Sequence, residues 1–102
     1  MSCVQDLDRD LQDDIAIVST RTGLLVEDAI ARVARRGVRA IPPIETALHT
    51  ARPAGRLNLV MALRRIGSPE SLPLLEHLAR WDSDAAVRKE ADSTLHDLSP
   101  SK

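Results

Sequence analysis

Three histidines, His49, His77 and His96, and a single cysteine, Cys3, carry what this chain has of neutral-pH bases, thiol nucleophiles and soft metal ligands. No histidine lies three or four residues from another histidine or from the cysteine, the spacing that sets two ligands on one helix face, so no metal site follows and no cofactor is expected. A lone cysteine makes no internal disulfide, and Cys3 reads as an incidental thiol near a frayed end. The acid run from Asp6 to Asp14 has the charge for calcium, but it lacks the central glycine and closing glutamate of an EF-hand loop. No nucleophile–histidine–acid signature, glycine-rich phosphate loop or paired-carboxylate motif is present. No catalytic residue is assigned, and the chain is expected not to be an enzyme.

The arginines are the better candidates. Net charge is −1, yet residues 21–65 hold nine arginines against three acids, between an acidic start and an acidic end. Arg32, Arg35, Arg36, Arg64 and Arg65 fall in this middle, and Arg88 follows on the last helix. Planar guanidinium groups suit carboxylates and phosphates, so the set is a candidate partner-binding face. The plain alternative is a solvated face that offsets acidic neighbours. Nucleic acid is the weaker of the two ligand classes, because the domain is slightly acidic and no stacking aromatic is interleaved with the basic residues. Trp81, the one aromatic of its kind, could anchor a partner; the expectation is that it plugs the turn before the sixth helix.

These residues must be positioned by helices. Apolar residues recur with helical spacing throughout. Leu7, Leu11, Ile15 and Val18 predict a helix over about 3–19; Val26, Ala29, Ile30, Val33 and Ala34 predict a second over about 24–36, ended by Gly37. A third runs from Pro42-Pro43 through Leu48, a fourth spans about 54–66, a fifth about 69–81, and a sixth starts near Asp84. No segment alternates with the two-residue period of a strand, so an all-α fold is predicted. The chain has 102 residues, 43% of them apolar and 28% charged, a globular balance that would bury roughly 65% of the unfolded surface. With no Phe or Tyr, the core must be aliphatic. No apolar run approaches the roughly 18 residues of a membrane span, and a soluble, cytoplasmic protein with no membrane partner is expected.

Spacing between elements says more than any one of them. Gly37 and Gly67, Pro43 and Pro73, and Leu48 and Leu78 each lie thirty residues apart, a repeat of a helix pair. Two helices cannot cover both of their apolar faces, so about three pairs, near 3–37, 38–67 and 68–98, should stack into one short solenoid domain with 99–102 a disordered tail. The fourth helix is apolar around most of its circumference and should be flanked on several sides. The outer faces of the first helix (Asp6, Asp10, Asp13, Asp14) and the sixth (Arg88, Lys89, Glu90, Asp92) should be solvated caps. Ser68 can cap the fifth helix, with Pro69 at its first position. Pro73 forbids an unbroken helix through both prolines, so a kink or a separate first turn is expected.

The run Ala62-Leu63-Arg64-Arg65-Ile66-Gly67-Ser68-Pro69-Glu70-Ser71-Leu72-Pro73-Leu74-Leu75, with Asp82-Ser83-Asp84-Ala85-Ala86-Val87-Arg88-Lys89-Glu90-Ala91 after it, resembles a HEAT repeat of the bacterial, phycobilisome-lyase-like type. The resemblance covers residues 56–98. It departs from the family's turns at Ser68, where an aspartate is usual, and at Ser83 and Ala85, where prolines are usual. It implies a right-handed stack of antiparallel helix pairs, with the second helix of each pair lining a concave face. The thirty-residue period and the basic middle together predict a non-catalytic interaction or scaffold module, monomeric or homodimeric, that takes an acidic or amphipathic segment of a protein partner on the concave, arginine-bearing face of helices two, four and six. The alternatives are nucleic-acid binding by the same arginines, or a non-catalytic subunit of a larger enzyme complex.

Overall fold

A computed structural model describes residues 3–21 and 23–99, with the side chains of residues 3–8 left out. The Cys3, Asp6 and Leu7 side chains, and the last three residues of the expected tail, lie outside the described residues. Among the described residues six α-helices follow in order: α1 (Cys3–Thr20), α2 (Leu24–Arg35), α3 (Ile41–Leu48), α4 (Pro53–Ile66), α5 (Leu72–Trp81) and α6 (Ala85–Leu98). No strand occurs among the described residues.

Local chemistry sets the helix ends. Gly67 follows α4 with φ +68°, a left-handed conformation that glycine adopts without a Cβ penalty, and its amide donates to the Leu63 carbonyl. Ser68 then accepts a hydrogen bond from the Glu70 amide, and Pro69–Ser71 forms a short 3-10 turn before α5 begins at Leu72. The two prolines therefore sit in different elements. Pro73 is the second residue of α5, where its missing amide has no partner within the helix, so the separate first turn removes the clash that a continuous helix would carry. Gly37 (φ +63°) opens the matching 3-10 turn over Gly37–Ala40, ahead of α3 and its Pro42-Pro43 pair. Asp84 caps α6 by accepting from the amides of Ala86 and Val87.

The buried core is aliphatic from end to end. Ile15 and Val18 of α1, Ala29 and Val33 of α2, Ile44 of α3, Leu59 and Leu63 of α4, Leu75 of α5, and Val87 and Ala91 of α6 are all buried in one cluster. At roughly 1.5–3 kcal/mol for each large side chain removed from water, this cluster is the main favourable contribution to folding. The α4 helix lies at its centre: it packs on α2 and α6 to either side and on α1 and α3 behind. Close approach to α1 requires Gly55, since a Cβ there would lie 2.9 Å from the Ser19 carbonyl carbon and closer still to its oxygen. Three residues on, the Asn58 side-chain amide donates to the carbonyls of Val18 and Arg21, which closes the end of α1 onto α4.

Two expected caps are not fully solvated. Asp14 is buried against Arg32 of α2 rather than turned to water, because the first pair is held together on that side by an ion pair. On α6, Lys89 and Asp92 are exposed, whereas Arg88 and Glu90 are half-buried and bonded to the rest of the stack.

Candidate protein-docking groove and arginine network

The six predicted arginines and Arg56 fall into three settings, according to where each lies along its helix. Those near a helix start are built into a turn. The Arg56 guanidinium donates to both Asp82 carboxylate oxygens, at 2.8 and 3.0 Å, and to the Ala51 carbonyl at 2.7 Å. Arg88, thirty-two residues later at the same place on the next inner helix, donates to the Asp82 carbonyl at 2.7 Å. Both side chains therefore converge on residue 82, and the turn between α5 and α6 is locked to the start of α4. Burial alone would push the Asp82 carboxyl up, but the Arg56 and Asp84 hydrogen bonds and the charges of Arg56 and Arg88 outweigh it and hold it below the usual carboxylate range. The chemistry here is structural: a buried carboxylate kept ionised by two arginines.

Trp81, one residue before this turn, does not plug it. Its side chain is 70% exposed, because the space between α4 and the turn is already filled by the Arg56 fork, which satisfies the turn's polar groups as an indole cannot. Arg56 was missed by a reading centred on arginines near helix ends. Its signal was the thirty-two-residue spacing to Arg88, hidden behind the thirty-residue spacing of the glycines and prolines.

Arginines in the second setting bridge neighbouring helices at the surface. Arg32 of α2 bonds Asp14 of α1 at 3.0 Å. Arg64 of α4 reaches α6, where it donates to Glu90 at 2.9 Å, to the Ser93 hydroxyl at 3.3 Å and to Asp97 in a further close ion pair. The Asp97 hydrogen bond raises the Arg64 pKa most; desolvation opposes it, and the charges of Asp97 and Glu90 add to it, so the guanidinium stays protonated. The third setting comprises Arg35, Arg36 and Arg65, which make no ion pair among the described residues; Arg35 and Arg65 are exposed and Arg36 half-buried.

The predicted arginine face is thus divided. Arg64 and Arg65 come together at a groove of about 520 Å³ on the side formed by α2, α4 and α6, while Arg32 turns toward α1 and Arg88 is held in the turn. Sequence reasoning did not find the apolar part of this groove. Val26 and Ile30 of α2 lie at its base, and Leu24 (85% exposed) and Met61 (42% exposed) project beside them. Met61 is the one large apolar side chain of α4 that is exposed. Glu27 and Glu90 complete the rim.

His49 and His77 line one cavity between α3 and α5, and His96 stands apart from them on α6. His96 lies 3.8 Å from Asp92 one helical turn earlier, both exposed, and no group of three potential metal ligands occurs among the described residues. No helix among those residues is long and apolar enough to cross a membrane.

Stacked helix pairs with glycine-closed helices, proline-bearing entries and an inner row formed by α2, α4 and α6 define an α-helical repeat protein. The family described as HEAT repeats matches residues 25–96, and the chain belongs to it. No curated protein and no solved structure gives a significant match.

Proposed function

We propose that this protein is a non-catalytic interaction module whose inner groove, between α2 and α4, takes an amphipathic, acid-bearing segment of a partner protein. The observation that carries this reading is the groove itself: Leu24 and Met61 stand in water over an apolar base, with the exposed guanidinium of Arg65 at the rim. Exposed apolar side chains beside a concave surface are the usual anchor points of protein interfaces, and an arginine at the edge suits a carboxylate. HEAT repeats commonly act as interaction scaffolds, which agrees with this assignment. The Gly67-Ser68-Pro69 and Pro73 entry supports the bacterial, phycobilisome-lyase-like type of repeat.

A photoreactive side chain at position 61 of the full chain, followed by mass spectrometry, tests the groove. A partner segment should crosslink to the otherwise unaltered chain, and its capture by the chain should be lost in Arg65→Glu and Leu24→Asp variants whose helical circular dichroism is unchanged. Capture unaffected by either substitution, or no crosslinked segment at all, would overturn the assignment.

A further inference from the structure

On the side away from that groove, α3 and α5 part to leave a second cavity of about 730 Å³, closed at one end by the Arg56–Asp82 turn. Its base is apolar, with Ile41 and Leu48 from α3 and Leu74 and Leu78 from α5. Trp81 stands at its edge with 70% of its surface in water. An indole carries the largest apolar surface of any side chain, and leaving it exposed beside an apolar cleft forgoes a favourable burial that an incoming group would recover.

Charge narrows the choice of incoming group. Among the residues lining this cavity the one arginine, Arg56, is engaged by Asp82. Glu45 of α3 and Glu70 of the 3-10 turn are both exposed and make no ion pair among the described residues. The remaining titratable side chains there are His49 and His77. The cavity therefore offers an aromatic face at one end of α5 and uncompensated carboxylates toward the other, and each attracts a cation, the first through the ring quadrupole and the second through direct ion pairing.

We propose that this outer cavity is a second docking site, for a segment of a partner protein that bears several lysines or arginines: one cation lies against Trp81 at the end of α5, others lie beside Glu45 and Glu70 toward its start, and an apolar side chain between them rests on Leu74 and Leu78. The two faces of the stack then prefer segments of opposite charge. This inference stands independently of the inner groove.

Trp81 is the chain's one tryptophan, and with no tyrosine present its fluorescence reports on this cavity alone. Titration of the full chain with a capped hexapeptide of alternating leucine and lysine should shift its emission to the blue and saturate, and the same length of alternating leucine and glutamate should leave it unchanged. The Glu45→Gln, Glu70→Gln double variant should bind the lysine peptide about fivefold more weakly, equivalent to about 1 kcal/mol. Met61→Glu, on the inner groove, should bind it as the unaltered chain does. No shift with the lysine peptide, an equal response to both peptides, unchanged affinity in the double variant, or loss in Met61→Glu would each overturn the assignment.

Discussion

At the start of α4, Arg56 is shut into a turn with a carboxylate whose side chain is 4% exposed; toward the end of the same helix, Arg64 lies 38% exposed against Asp97, itself 55% exposed. Both side chains make several charge-assisted hydrogen bonds, and a list of bonds would rank them alike. Burial separates them. Losing Arg56 strands a carboxylate out of water, whereas losing Arg64 leaves Glu90 and Asp97 with solvent as a ready substitute. In this stack Arg56 and Arg88, each four residues into an inner helix, belong to the frame, and Arg64 near the end of α4 belongs to the surface.

The sharpest way to break this comparison is Arg56→Ala. It should cost about 3 kcal/mol of unfolding free energy in a denaturant titration at neutral pH, since a buried partner is left unpaired; a cost within ~0.5 kcal/mol would mean that water replaces the guanidinium and that the turn is not closed. Acid should probe the same pair with a smaller effect. The folded Asp82 value is depressed, so its contribution to stability is fully present above the ordinary aspartate value of about 3.9 and is lost as pH falls through the lower folded value. Asp82→Asn should therefore be less stable than the unaltered chain at neutral pH, and the gap between the two should narrow on acidification below about pH 4. A gap that stays constant would detach the Asp82 charge from the stability of the turn. The smallest effect is expected at the other end of the helix: Arg64→Gln should change stability by no more than about 0.5 kcal/mol, and added salt should shrink even that.

The helices were legible because their signals are local. Gly67, Ser68 and Pro69 each act through their own backbone conformation or first amide, and the 3.6-residue spacing of Leu11, Ile15 and Val18 reads without knowing what they pack against. The resemblance to HEAT repeats rested on the same local joints. What the sequence did not disclose was partnership across the stack. Asp14 and Asp13 are adjacent acids of one helix, and only the arrival of α2 decides that one is buried against Arg32 while the other faces water. Arg56 and Trp81 competed for one turn, and the fork won because it could bond the Asp82 carboxylate that the turn presents while also bonding the Ala51 carbonyl ahead of α4. Met61 and Leu24 showed as apolar residues in apolar runs; that they remain in water depends on how far apart α2 and α4 settle.

The position of α4 also bears on how the molecule comes apart. A long solenoid has many interior units and frays from its ends, one pair at a time. Here one helix touches the first pair and the last directly, so melting either end withdraws contacts from the helix on which the opposite end depends. The three pairs described therefore unfold as one cooperative unit, because α4 is shared between them.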